Sequence, residues 1–124
     1  VALGQGLAPL IEAVPQRWCT AAFRAVQPER VESILELMRR AQPAGYAAAC
    51  TALRDTDLRG SLTSVRAPTL VIAGAQDAAT PLERAEELCE SISGADLLVL
   101  DAAHLSNVEQ AEDFSRAVID FLRD

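Results

Sequence analysis

An uninterrupted apolar run, Leu70–Ala73, ended by Gly74, constrains the fold of this chain more than any other feature. A strand that faces water on one side alternates apolar and polar residues, whereas a strand buried on both faces is apolar throughout. Strands of the second kind lie inside parallel sheets, with helices covering both faces. The run therefore predicts a central parallel strand, which needs neighbouring strands and covering helices.

The pattern of a strand followed by a helix repeats once after this run, so that residues 62–124 form a strand-helix-strand-helix unit. The second predicted strand spans Leu97–Leu100. Two pairs of residues have the spacing of a capping box and predict the starts of the two helices: Thr80 with Glu83, and Ser106 with Glu109. Strands joined through a helix run parallel with a right-handed crossover, so the fold class is α/β.

The preceding residues, 1–61, show helical periodicity and no convincing strand. Helices are predicted from about Ala8 to Val14, with a break at Pro15, and from Gln16 to Val26. Pro28 suits the first turn of the next helix, because its missing N–H has no partner there in any case. The apolar residues of that helix follow helical spacing: Val31, Ile34, Leu35, Met38 and Ala41.

Composition and charge narrow the classes of function. Eleven basic and 18 acidic residues give the 124-residue chain a net charge of −7, which disfavours nucleic acid as a partner. No apolar stretch approaches the length that spans a bilayer, and the start of the chain lacks the features of a secretory leader. Cys19, Cys50 and Cys89 lack the spacing of a zinc or redox site, so we expect buried, reduced thiols in a cytoplasmic protein.

An aspartate and the single histidine follow the two predicted strands. Asp77 lies three residues beyond Gly74, and His104 lies four residues beyond Leu100. Parallel strands end at the same edge of a sheet, which is where open α/β folds bind ligands. Considered alone, Asp77 is best interpreted as a residue that forms a turn, and His104 as an ordinary loop residue. Together they predict a hydrogen-bonded pair in which the aspartate orients the histidine for proton transfer.

The segments APTLVIAGAQDAATP and VLDAAHLSNVEQ, which carry this pair, resemble the C-terminal part of the α/β-hydrolases. Within that family, the segments RWCTAAF, GYAAACTALRDTDLR and DAAHLSNVEQAEDF are most similar to the 3-oxoadipate enol-lactonases. The resemblance implies that Asp77 is the acid and His104 the base of a catalytic triad, and that residues 1–61 form a helical lid. The sequence departs from the family pattern at Cys19, Ala21 and Ala78.

The resemblance also implies a serine nucleophile, yet no G-x-S-x-G motif occurs in the 124 residues. We expect the nucleophile, the oxyanion hole and the remaining strands to come from an N-terminal core that this chain does not contain, or from a second chain. On its own, the chain is expected to be inactive.

Three functions remain open from the sequence. The resemblance implies hydrolysis of a small lactone, 3-oxoadipate enol-lactone, or of another ester, as in an esterase or a cofactor-free perhydrolase. A non-catalytic module that assembles with a partner is the third. Trp18 is a candidate for lining a substrate pocket, although a tryptophan at helical spacing is more often packing. Arg17 and Arg24 are candidates for a substrate carboxylate, although a solvated face suits them better.

Overall fold

A computed structural model describes residues 6–123 of the chain, and these residues form two compact units. One unit comprises the residues up to Gln16 together with Ala21–Asp57. The other comprises Arg17–Thr20 together with the residues from Leu58 onward. The short segment around Trp18 therefore belongs with the strands and not with the helices that follow it.

Four helices occupy the described part of the chain before residue 57: α1 (Ala8–Trp18), α2 (Ala21–Val26), α3 (Pro28–Arg40) and α4 (Pro43–Asp55). Pro28 and Pro43 lie in the first turns of α3 and α4, where no intrahelical N–H is lost. The predicted break at Pro15 is wrong, because α1 continues through this residue to Trp18. The next predicted helix accordingly begins at Ala21 rather than at Gln16.

Burial in these helices is narrower than the periodicity predicted. Val31 and Met38 are the buried positions of α3, while Ala41 lies beyond the helix end and is exposed. The expectation of three buried thiols is also wrong. Cys19 is buried, but Cys50 is exposed and Cys89 is half-buried.

The second unit contains the two predicted strands. Its elements are α5 (Arg59–Leu62), β1 (Leu70–Gly74), α6 (Leu82–Ser91), β2 (Asp96–Leu100), α7 (Ser106–Glu109) and α8 (Ala111–Phe121). The strands pair in parallel over their whole length, with Leu70 opposite Asp96 and Gly74 opposite Leu100. The predicted α/β class and the parallel arrangement are thus confirmed.

Both predicted capping boxes are wrong. Pro81 occupies the N-cap position of α6, and Leu105 occupies that of α7, and neither helix has a side-chain cap. The predicted last helix is also divided, because Gln110 separates α7 from α8. The polar side chains assigned to caps, Thr80 and Glu109, are therefore available for other contacts.

The sheet is only partly covered within the described residues, where β1 pairs with β2 and with no other strand. The first three residues of β1 are half-buried, and only Ala73 and Gly74 are buried. In β2, Leu97 and Val99 are 37% and 40% exposed. The double-sided burial that the apolar run predicts is therefore incomplete in this chain.

Candidate active site

Two loops leave the carboxyl ends of the strands side by side. The aspartate loop, 75–81, follows β1, and the histidine loop, 101–105, follows β2. Their close approach depends on Gly74, because a Cβ atom at this position would overlap the backbone carbonyl oxygens of Ala102 and Ala103. A glycine at the end of β1 thus allows the histidine loop to lie directly against the strand.

Backbone hydrogen bonds fix the two loops to each other. The N–H of Ala75 donates to the carbonyl of Leu100 at 2.8 Å, and the N–H of Gln76 donates to that of Ala102 at 2.9 Å. The side-chain amide of Gln76 also donates to a carboxylate oxygen of Asp101, at 2.8 Å. The relative position of the loops is therefore set by main-chain geometry before any functional side chain is considered.

The structure brings Asp77 and His104 together. His104 Nδ1 lies 2.9 Å from Asp77 Oδ2. The aspartate side chain is 6% exposed and the histidine side chain 34% exposed. Because an ionised carboxylate only accepts hydrogen bonds, Nδ1 carries the proton in this pair and Nε2 remains the nitrogen that can take up another. A buried carboxylate and an accessible imidazole in this order suit general-base chemistry.

Asp77 is held by three further donors. Its Oδ1 accepts the backbone N–H groups of Ala79 at 2.7 Å and Thr80 at 2.9 Å, as in an Asx turn. The Thr80 hydroxyl donates to Oδ2 at 2.6 Å and lies 3.3 Å from His104 Nδ1. The orientation of the carboxylate is therefore fixed independently of the histidine.

These contacts determine the protonation of Asp77. Burial raises the pKa of this carboxyl, but the hydrogen bonds from Thr80, His104 and Ala79 outweigh that effect and hold the pKa below its ordinary value of 3.8. A lowered pKa in the folded protein stabilises the fold fully above the unfolded value, and this stabilisation is lost as the pH falls through the folded pKa. Asp77 is therefore ionised throughout the neutral range.

Thr80→Val should raise the pKa of Asp77, because it removes the hydroxyl that donates to Oδ2 and keeps the backbone donors. A ¹³C NMR titration of the Asp77 carboxyl measures the change directly. Thr51→Val is the control, because the Thr51 hydroxyl donates to Ala47 within its own helix. An Asp77 titration curve that is the same in Thr80→Val and in wild type would contradict the assigned role of the hydroxyl.

Trp18 also belongs to this site. Its ring lies 5.8 Å from the ring of His104, centroid to centroid, with an interplanar angle of 40°. The backbone carbonyl of Trp18 accepts the N–H of Leu105 at 3.1 Å. The structure thus places this candidate residue against the histidine. Arg17 and Arg24 have no described contact with Asp77 or with the histidine.

An open cavity of about 300 Å³ lies beside the pair. Its apolar wall includes Val71 and Ile72 of β1, and its polar wall includes Asp77, Thr80 and His104. The combination of a mainly apolar wall with a few convergent polar groups is typical of a binding site for a small organic molecule.

A metal-binding cluster and a membrane-spanning helix are both absent from residues 6–123. In this range no three His, Cys, Asp or Glu side chains form a group that could hold a metal ion. Over the same residues, no helix combines the length and the apolar character needed to cross a bilayer.

Sequence reasoning missed two residues of the site, Thr80 and Glu109. Each was assigned to a capping box, but Thr80 binds Asp77 and Glu109 binds the backbone of the histidine loop at Ala103. An aspartate followed three residues later by threonine is a signal for an Asx turn, and it could have identified Thr80. No local signal identifies Glu109, because one of its contacts, Thr20, lies 89 residues away.

Comparison with known proteins identifies relatives of this chain. A family model of α/β-hydrolases described as TAP-like protein matches residues 39–124. The chain is 42% identical to 3-oxoadipate enol-lactonase 2 of Acinetobacter baylyi over 114 aligned residues. These residues make up 92% of this chain and 43% of that protein.

Two solved structures have the same fold over nearly the whole chain. The enol-lactonase from Burkholderia xenovorans matches with a TM-score of 0.96 and 36% identity, over 99% of this chain and 47% of that one. A thermophilic esterase from Thermogutta terrifontis matches with a TM-score of 0.91 and 31% identity, over 98% and 46%. The chain therefore spans less than half the length of each of these relatives. From the family match and the shared fold, the chain belongs to the α/β-hydrolases.

Proposed function

We propose that this chain supplies the acid and the base of a Ser-His-Asp triad in an ester hydrolase, and that the substrate is 3-oxoadipate enol-lactone. The 2.9 Å contact between Asp77 and His104 at the ends of two parallel strands carries the proposal. The similarity to enol-lactonases from two organisms supports this choice of substrate.

In the proposed reaction, a serine hydroxyl attacks the carbonyl carbon of the lactone, and His104 Nε2 takes the serine proton. Asp77 keeps the ring in the required tautomer and stabilises the imidazolium that forms. When the ring C–O bond breaks, His104 returns the proton to the leaving enol oxygen. A water molecule then releases the acid from the serine by the same steps, and the enol tautomerises to the 3-oxo acid. No metal or organic cofactor is required.

The serine and the oxyanion hole of this proposal lie outside the chain. None of its seven serines, Ser33, Ser61, Ser64, Ser91, Ser93, Ser106 and Ser115, stands in a G-x-S-x-G motif. We infer that a segment corresponding to the other half of the relatives, on the same or a second polypeptide, supplies these groups and completes the sheet beside β1. Residues 1–61 then act as the lid, and Trp18 borders the substrate.

The thiols favour the cytoplasm as the compartment of this enzyme. None of the three cysteines forms a disulfide. Cytoplasmic proteins keep their thiols reduced, whereas disulfides accumulate in oxidising compartments.

A chimera tests the proposal. In this chimera, the chain replaces the part of the Burkholderia xenovorans enol-lactonase that it matches, which is 47% of that protein. We expect the chimera to hydrolyse 3-oxoadipate enol-lactone and the chain alone to be inactive, because only the chimera contains a nucleophile. His104→Ala should abolish the activity, since the serine then has no base.

The chimera also needs a control substitution far from the proposed site. Arg116→Ala changes an exposed ion pair with Asp113 on α8 and should leave hydrolysis unchanged. A folded chimera that does not hydrolyse the lactone, or one whose activity survives His104→Ala, would contradict the proposal. Turnover by the chain alone would contradict the assignment of the nucleophile to another segment.

Hydrolysis of a simpler carboxylic ester is the second candidate function. The similarity to the Thermogutta terrifontis esterase favours it, because the fold match extends over 98% of the chain. The same chimera distinguishes the two candidates. A higher kcat/KM for short p-nitrophenyl esters than for the lactone would favour the esterase.

A further inference from the structure

We propose that Glu109 is a positioning residue that fastens the segment around Trp18 to the histidine loop and so sets the packing of the indole on His104. The carboxylate bridges two parts of the chain that are 83 residues apart, at Thr20 and Ala103. None of the described hydrogen bonds of this carboxylate goes to Asp77 or to His104.

Four hydrogen bonds converge on this carboxylate. The backbone N–H of Thr20 lies 3.2 Å from both Oε1 and Oε2, and the Thr20 hydroxyl donates to Oε2 at 2.6 Å. The backbone N–H of Ala103 donates to Oε1 at 2.9 Å. Because every partner is a donor, the site requires a group that only accepts, which is the property of an ionised carboxylate.

The positions of these donors explain what the carboxylate controls. Ala103 immediately precedes His104, and Thr20 follows Trp18 by two residues. The hydrogen bond from Leu105 to the carbonyl of Trp18 joins the same two segments on the other side of the histidine. The contact between the two rings is therefore flanked by two hydrogen-bonded links. One is made by Glu109, and the other is the bond between Leu105 and Trp18.

Removal of the carboxylate leaves the buried N–H of Ala103 without its acceptor. Ala103 is 3% exposed, so its N–H cannot find a solvent partner without movement of the histidine loop. A buried donor without a partner destabilises the arrangement that contains it. Glutamine retains one acceptor oxygen and can satisfy part of the set, whereas alanine satisfies none of it.

The chain provides its own reporter for this contact, because Trp18 is its only tryptophan and His104 its only histidine. A protonated imidazole against an indole quenches the indole fluorescence. We therefore expect the emission of the wild-type chain to fall when acid protonates this imidazole. The same titration of His104→Gln gives the baseline.

Glu109→Ala should reduce the amplitude of this quenching to less than half of the wild-type value, because Trp18 is no longer held on His104. Glu109→Gln should give an amplitude between those of Glu109→Ala and the wild type. Thr20→Ala should also lower the amplitude, but by less than Glu109→Ala does. Glu112→Ala is the matched control, because this exposed glutamate lies in the first turn of α8, three residues after Glu109. Its amplitude should equal that of the wild type.

The relevance of this positioning to catalysis rests on the proposed function, but the fluorescence titration involves no hydrolysis and can fail separately. Circular dichroism establishes that each variant is folded, and if Glu109→Ala does not fold, Glu109→Gln and Thr20→Ala decide the question. An unchanged amplitude in the folded variants would overturn the proposal. A wild-type titration identical to that of His104→Gln would overturn it as well.

Discussion

Asp77→Asn should lower kcat of the chimera about 10⁴-fold, which is the loss expected when the histidine of a triad is held in the wrong tautomer. The surroundings of Asp77 determine which amide atom faces the histidine. Oδ1 accepts two backbone N–H groups, from Ala79 and Thr80, so the oxygen of the asparagine must occupy that position. The amide NH₂ then lies where Oδ2 was, against His104 Nδ1.

A donor at that position reverses the tautomer of the ring. Nδ1 must accept from the NH₂ group, so the proton moves to Nε2, which then cannot accept the proton of a serine. The shape of the site and the contact with Trp18 are preserved, so KM should change much less than kcat. Asp101→Asn, at an exposed carboxylate in the other loop, is the control and should leave kcat near its original value. Retention of more than a tenth of the rate by Asp77→Asn would contradict this account.

Gly74→Ala should have the second largest effect. The added Cβ overlaps the carbonyl oxygens of Ala102 and Ala103, and both obstacles are backbone atoms that no rotamer change can move aside. Overpacking of this kind costs about 1–3 kcal/mol of stability, and rigid obstacles favour the upper end. The histidine loop must shift away from β1, and a misplacement of about 1 Å can lower the rate of a positioned reaction about 10²-fold.

Urea unfolding and kcat/KM of the chimera measure the two consequences of this substitution. Gly60→Ala provides the matched control, because a Cβ atom at Gly60 meets no other atom within 4 Å. This glycine lies within the short helix α5, where alanine is favoured over glycine by about 1 kcal/mol. Equal stability and rate in Gly74→Ala and Gly60→Ala would show that the close approach at Gly74 does not position the histidine.

The parts of the fold that the sequence predicted are those governed by topology. An apolar run, a helix and a second apolar run determine parallel strands, and parallel strands place the residues that follow Gly74 and Leu100 at one edge. Asp77 and His104 therefore meet as predicted, although 27 residues separate them. Their proximity depends on the direction and order of the strands, and short sequence patterns predict both of these well.

The errors concern polar side chains that have more than one possible partner. The spacing of a capping box describes Thr80 and Glu109 as well as it describes true caps, and only the three-dimensional positions of Asp77 and Ala103 decide between the partners. Pro15 is a similar case, since the break expected from its missing N–H is not observed in α1. Long-range packing decides such competitions, and a local pattern cannot contain it.

The Thr80 hydroxyl allows the histidine to move at low cost. If the ring of His104 swings away from Asp77, Oδ2 retains the hydroxyl at 2.6 Å, and Oδ1 retains its two backbone donors. The departure of the ring therefore removes one of the four donors to Asp77 and does not leave a buried negative charge without partners, which would be far more costly. In a hydrolase, the imidazole must face the serine in one step and the leaving oxygen in the next. In the proposed triad, Asp77 therefore stays fixed by the donors of its own loop while the histidine ring reorients.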